Sequence, residues 1–296
     1  MTRPIRPRRS VLYMPGSKPR ALQKARTLPA DGLIFDLEDA VTPDAKETAR
    51  NQVCAALKEG GYGHREAVVR VNGLATPWGH DDLAAAATSG ADAVLLPKVE
   101  SADGVRQALA VLDQAGGPPD LPLWAMMETA RGMLHTEEIA GASARLACFV
   151  MGTSDLAKEL QAAHTPLRLP MITALGLCML AGRAFGLSLL DGVYLDLDDD
   201  GGYAASCRQG LELGFDGKTL IHPKQIEAAN QIFAPDEAAL AQAEKIIAAH
   251  QAAAAEGKGV VVVDGRLVEN LHVEDAKRQV QLAKAIRDMA SDHGAI

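Results

Sequence analysis

Eight short apolar runs alternate with helix-compatible segments between residues 10 and 225, and this alternation predicts an α/β fold, a (β/α)8 TIM barrel. Two further observations point the same way. The runs are almost continuously apolar, as strands buried on both faces must be. No G-x-G-x-x-G opens the first strand–helix unit, which disfavours a doubly wound open sheet, the structural alternative. In chain order the expected strands are Ser10–Pro15, Gly32–Asp39, Glu66–Asn72, Ala93–Val99, Leu121–Thr129, Arg145–Gly152, Leu187–Leu195 and Phe215–His222. The segments Lys18–Thr27, Pro43–Lys58, Asp81–Ser89, Ser101–Ala115, Glu137–Gly141, Pro170–Phe185 and Gly202–Leu213 fit helices between them.

After Ile226 the pattern changes. Pro235–Ala255 is Ala-rich and helical, Gly259–Val263 is a short strand-like run, Asp264-Gly265 is a turn signal, and Val273–Met289 is again helical. The expected organisation is a catalytic barrel over 1–230 and a C-terminal helical extension over 231–296. An extension of ~60 residues holds little core of its own, so it is expected to pack on the barrel or on a neighbouring subunit.

Composition narrows the function. The chain has 296 residues, 48% apolar and 23% charged, with a net charge of −8. An acidic balance argues against a nucleic-acid partner. The charge is uneven. Residues 1–30 hold eight of the 30 Lys and Arg and none of the 38 Asp and Glu. A basic head on an acidic body suggests a local anion site. Within it, Arg3, Arg6 and Arg8 precede the first strand and are expected to form a solvated tail. The four cysteines, Cys54, Cys148, Cys178 and Cys207, form no C-x-x-C and read as reduced, mostly buried thiols. No apolar run approaches the ~18 residues of a membrane span, and no secretory signal is evident, so the expected location is cytoplasmic with no membrane partner.

In such a barrel the chemistry sits at the C-terminal ends of the strands. There the sequence places Asp36, Glu38 and Asp39 after the second strand, Arg70 at the third, Lys98 at the fourth, Glu128 at the fifth, Asp155 after the sixth, and Lys218 and His222 at the eighth. Glu128 and Asp155 lie 27 residues apart, about one strand–helix unit, which faces two carboxylates into one mouth. Three readings are open for them: a Mg2+ site, an acid/base pair, or an ion-paired structural couple. No His/Cys clustering of the zinc kind accompanies them. Arg70 suits a carboxylate or a developing enolate oxygen, or else an ion pair with Glu38 or Asp39, and the two are compatible if the acids orient the arginine. The turn Tyr13-Met14-Pro15-Gly16-Ser17-Lys18 is a weak phosphate-binding signal, equally consistent with a capped helix start. Trp78 either lines the mouth or packs on the surface, and His222 either polarises or caps.

Several stretches together resemble the citrate lyase β-subunit-like group of the HpcH/HpaI aldolase superfamily, which includes the malyl-CoA and citramalyl-CoA lyases. They are Arg9–Gly16, Phe35–Val41, Arg70–Asn72, Leu95–Ser101, Met127–Ala130, Gly152–Leu156 and Gly217–Gln225, in family order over most of the chain. The resemblance implies that Glu128 and Asp155 hold Mg2+ (or Mn2+). It implies that Arg70 binds substrate and steadies the thioester enolate, helped by Glu38 and Asp39. Tyr13, Lys18, Lys24 and the Ile221-His222-Pro223 turn would contact CoA. It further implies a homotrimer or hexamer in which the C-terminal segment delivers an acidic residue to a neighbour's site. Here that residue is Glu269, where the family pattern has Asp, so its reach differs by one methylene. The expected reaction is Claisen-type cleavage of malyl-CoA or citramalyl-CoA to acetyl-CoA and a 2-oxoacid, glyoxylate or pyruvate. The alternatives are a malyl-CoA thioesterase on the same barrel, a citrate lyase β subunit, and a non-catalytic CoA-binding paralogue.

Overall fold

A computed structural model describes residues 5–255 and 260–291. Arg3 of the basic head and Gly259 of the strand-like run lie outside the described residues. Eight parallel strands close into a barrel in sequence order: β1 (Ser10–Pro15), β2 (Gly32–Asp36), β3 (Glu66–Arg70), β4 (Ala93–Leu96), β5 (Leu123–Met127), β6 (Leu146–Met151), β7 (Ser188–Asp191) and β8 (Gly217–Leu220). Closure joins β1 to β8 through pairs such as Val11 with Thr219. The helices are α1 (Pro19–Ala25), α2 (Lys46–Glu59), α3 (Gly79–Ala87), α4 (Ala102–Gln114), α5 (Ala130–Leu134), α6 (Thr136–Ala140), α7 (Thr153–Glu159), α8 (Ile172–Ala184), α9 (Asp200–Leu213) and α10 (Ile226–Ile232).

Side chains alternate between two apolar layers, as the pleat requires. Val11, Ile34, Val68, Leu95, Trp124, Met126, Val150 and Leu190 fill the barrel interior. Leu12, Leu33, Phe35, Val69, Phe149 and Leu189 face outward into the layer beneath the helices. Each fully buried side chain of this size contributes roughly 1.5–3 kcal/mol. Local signals set the helix starts. Pro19 opens α1, and Ser101, Thr129 and Asp199 cap α4, α5 and α9 by accepting the N–H of the residue three positions on. Gly214, at φ +98°, ends α9 in a conformation that suits glycine.

Every strand but β1 ends earlier than the apolar pattern suggests, most of all β7, which stops at Asp191 and not Leu195, with β2 stopping at Asp36 and β4 at Leu96. β2 stops at Asp36 because its carboxylate turns back to accept the N–H groups of Glu38 and Ala40, which diverts the chain from the ladder. Residues 37–39 thereby become a loop at the barrel mouth. The fifth unit carries two short helices, α5 and α6, in place of one. The short α7 has no counterpart among the expected helices. Arg8 is not a solvated tail residue; it is paired with Glu66 and stacked on Trp124.

The chain divides into two compact units. One spans Arg8–Phe233; the other takes in the described residues from Ala234 onward, together with those before Arg8. In the second, α11 (Glu237–Ala255) and α12 (Asn270–Ser291) pack on each other, and β9 (Val261–Val263) pairs antiparallel with β10 (Arg266–Val268). Asp264 and Gly265 both have positive φ, +48° and +79°, which makes the tight turn the sequence signals. Val263, Val268 and Val273 form a small core with Ile246, Ala249 and Val261. Among the described residues no helix is long and apolar enough to cross a membrane.

Candidate active site

The C-terminal mouth of the barrel gathers charge around one buried arginine. Arg70 ends β3, its guanidinium 4.9 Å above the Tyr13 ring. It donates to Asp36 through two parallel bonds, Nε to Oδ1 at 2.7 Å and Nη2 to Oδ2 at 2.6 Å. Nη1 lies 2.9 Å from Glu38 Oε2 and 3.6 Å from Asp39 Oδ2. The Glu38 contact is an ion pair without hydrogen-bond alignment, since that oxygen has no aligned donor. Burial alone lowers the pKa of a guanidinium, but Asp36 and the other neighbouring acids outweigh it and hold Arg70 charged. Of the three acids only Asp36 holds the guanidinium by aligned hydrogen bonds; Glu38 and Asp39 stand beside it as ion pairs.

Glu128, immediately after β5, is 1% exposed. Its Oε1 accepts the Lys98 N–H at 2.8 Å. Burial first, and then the charge of Glu38, push its pKa up to about 7. Glu38 is also raised, chiefly by burial, with Arg70 opposing. Asp155 sits in the first turn of α7, its side chain 38% exposed. Lys98 connects all three acids. Its ammonium is in short contact with Glu38 and lies 3.6 Å from Asp155 Oδ2, while its N–H holds Glu128.

These residues fit a divalent cation. Glu128 and Asp155 carry the hard oxygen donors that Mg2+ takes. Gly152 clears the space: a Cβ there would lie 2.5 Å from Glu128 Oε2. Among the described residues no group of three His, Cys, Asp or Glu forms a self-contained metal cage. A pair of carboxylates leaves positions for water and substrate oxygens, in keeping with Mg2+.

A second layer braces the mouth. Lys46 is buried, donating to the carbonyls of Leu37 and Glu38 and to Asn72 Oδ1 at 2.7–2.9 Å. Asn72 in turn donates to Asp82 Oδ2 at 2.6 Å. The Trp78 ring covers Lys46, with Nζ 5.4 Å from its centroid. Trp78 thus shields the brace beneath the acidic loop. Lys46 escaped sequence analysis because nothing local marks a helix-start lysine as an inward anchor.

Other expected site residues stand elsewhere. Lys18 and Lys24 are exposed on α1 and its approach, whereas Tyr13 is packed under Arg70 with its hydroxyl 3.9 Å from Met126 Sδ. Ile221 and His222 are exposed in the turn after β8. His222 Nδ1 accepts the Lys224 N–H, and Gln225 Oε1 accepts from Ile221 and His222, so the His222 ring caps the turn. Lys218 is not on the rim. It is fully buried, donating to Asp191 at 2.7 Å and to Ser206 of α9 at 3.1 Å. Its alternation in β8 aims it outward, between barrel and helix. Glu269 stands just before α12 in the second unit, and its N–H donates to His272 Nδ1 at 3.0 Å.

Comparison with known proteins refines the chemistry. A (3S)-malyl-CoA thioesterase of Cereibacter sphaeroides is 54% identical over 286 residues, covering 97% of this chain and 98% of that one. An L-malyl-CoA/beta-methylmalyl-CoA lyase of the same species is 35% identical, covering 96% of each. The crystal structure of CitE from Mycobacterium tuberculosis with magnesium, acetoacetate and coenzyme A superposes with a TM-score of 0.74 at 29% identity, covering 93% of this chain and 97% of that one. The expectation of a carbon–carbon lyase is corrected by the first of these. Relatives at 52–54% identity over nearly the whole chain are thioesterases, and those named lyases are more distant. The alternative of a thioesterase on the same barrel is the better supported. The HpcH/HpaI aldolase/citrate lyase pattern matches residues 9–223, the barrel almost entire, and the chain belongs to that family.

Proposed function

We propose that this chain is a divalent-metal-dependent thioesterase that hydrolyses a 3-hydroxy-3-carboxyacyl-CoA, with (3S)-malyl-CoA as the leading substrate. The observation that carries the reading is the 54% identity to a (3S)-malyl-CoA thioesterase over almost the full length. The mouth described above supports it. Glu128 and Asp155 would hold Mg2+ or Mn2+, which supplies Lewis-acid polarisation of substrate oxygens. Arg70, fixed by its two-point contact with Asp36, offers Nη1 to the thioester oxygen where negative charge develops as water adds. The water oxygen bonds to the thioester carbon, a carboxylate takes its proton, the C–S bond breaks, and the proton passes to the leaving thiolate. Malate and free CoA result. We assign the proton transfer to Glu269 of a second copy, within a homo-oligomer. The basic residues Lys18 and Lys24, together with Tyr13 and the Ile221–Pro223 turn, are the proposed CoA contacts.

The test is a product assay on (3S)-malyl-CoA with Mg2+. Thiol release matched by malate, with neither glyoxylate nor acetyl-CoA, is the expected outcome. Glyoxylate in proportion to substrate consumed would overturn the reading. Mixing Glu269→Gln chains with Asp155→Asn chains tests the second-copy base. Activity recovered in the mixture, from two inactive parents, is expected.

A further inference from the structure

Lys98 has an uncommon backbone and an uncommon set of partners. Its φ is +50°, the left-handed region that a residue with a Cβ enters only at a cost of about 1 kcal/mol or more. That conformation lets one residue do two things at once. The N–H turns to Glu128 Oε1, and the side chain runs back across the mouth to Glu38 and Asp155. Both carboxylates of the candidate metal pair are therefore touched by the same residue, one by its backbone and the other by its ammonium.

We infer that Lys98 is the resident counter-cation of the mouth: its ammonium stands against Asp155 and Glu38, and it sets divalent-cation affinity by competing for Asp155. The inference rests on the metal site proposed above. The charge inventory supports it. Arg70 is matched by Asp36 and shared with Glu38 and Asp39, so it leaves Glu128 and Asp155 without a dedicated cation. Lys98 is the cation placed between them. Its contact with Asp155 is long, at 3.6 Å, and its side chain is 48% exposed, so this contact is readily exchanged. The Glu38 contact is the short one, and it anchors the ammonium when a metal takes Asp155. Lys98 is thus a positioning residue, acting through the ligands and not on the substrate.

Titration of the substrate-free protein with MnCl2, read by calorimetry and by the EPR signal of free Mn2+, tests this. Lys98→Met removes the ammonium and keeps the backbone N–H. It is expected to tighten Mn2+ binding by roughly five- to tenfold at low ionic strength, with the gain shrinking as salt is raised. Lys98→Gly, which adopts positive φ freely, is expected to show the same gain, and Lys98→Arg to bind like the wild type. Unchanged or weaker binding in both Lys98→Met and Lys98→Gly, with the wild type binding normally, overturns the inference while the metal site stands. No Mn2+ binding by the wild type, indistinguishable from Asp155→Asn, overturns the metal site and the inference with it. Thermal unfolding of each variant without metal separates a folding defect from an affinity change.

Discussion

The two ends of the barrel each anchor an arginine, and the pair is instructive because the local designs are so alike. At the N-terminal end Arg8 stacks 5.1 Å from the Trp124 ring and makes a two-point contact with Glu66 at 2.6 and 2.8 Å. At the C-terminal end Arg70 stacks on Tyr13 and makes a two-point contact with Asp36. They differ in what the third nitrogen meets. Arg8 Nη1 donates to the neutral Ser188 hydroxyl at 2.6 Å. Arg70 Nη1 donates to Met126 Sδ at 3.7 Å and lies beside two carboxylates, Glu38 at 2.9 Å and Asp39 at 3.6 Å. Arg8, held by the Glu66 carboxylate and a neutral hydroxyl, makes a plug. One arginine facing several carboxylates makes a field that welcomes a further cation. The same motif closes the barrel at one end and prepares it for chemistry at the other.

The comparison can be broken most forcefully at the plug. Arg8→Met removes both charged hydrogen bonds from Arg8 to the buried Glu66 carboxylate, and a loss of about 1.5–3 kcal/mol in unfolding free energy is expected, measured by denaturant titration. Metal affinity of the folded fraction should be unchanged. Arg70→Met has the complementary signature. Thiol release per folded molecule should fall by roughly 10²–10³-fold, the size typical of losing one oxyanion donor, on top of the stability lost with the Asp36 contact, and the kcat corrected for the folded fraction reads it. If Arg8→Met instead spared stability and abolished turnover, the division of labour would be wrong.

A third prediction concerns pH and is the smallest in energy. Glu128 is raised to about 7 from an ordinary value near 4.3, so the fold favours its protonated form. Between those values the native state binds more protons than the unfolded state, and metal-free stability contributed by Glu128 declines as pH rises from about 4.3 to 7. A metal competes with that proton. Mn2+ affinity is expected to be flat above about pH 8 and to weaken by up to about tenfold per unit below 7, followed by the same EPR titration. A Glu66-centred plug predicts no such metal linkage, and Glu128→Gln should abolish it.

Much of this was legible in the residues, and the exceptions have physical causes. Strand alternation showed because parallel strands are covered on both faces, which leaves long apolar runs. Their ends were overestimated where a side chain competes with the ladder, as Asp36 does for Glu38 and Ala40. Arg70, Glu128 and Asp155 stood out because charge at the end of an apolar strand is conspicuous. Arg8 did not, since its partner Glu66 is 58 positions away and the residues around it are basic. Lys218 was misplaced because a charge inside a strand faces either way, and only Asp191 and Ser206 decide which. Lys98 was visible as a strand-end lysine, but its left-handed backbone is written nowhere in Pro97-Lys98-Val99.

Gly152 gives the mouth a different kind of vulnerability. A methyl group at this position would fall 2.4 Å from Glu128 Cβ and 2.5 Å from its Oε2. Everything else at the mouth is governed by charge, yet here the governing quantity is volume. The smallest possible enlargement of one uncharged residue would turn the carboxylate aside with every ionisable group still present. A survey of such proteins that checked only their acids and bases would score that variant as intact.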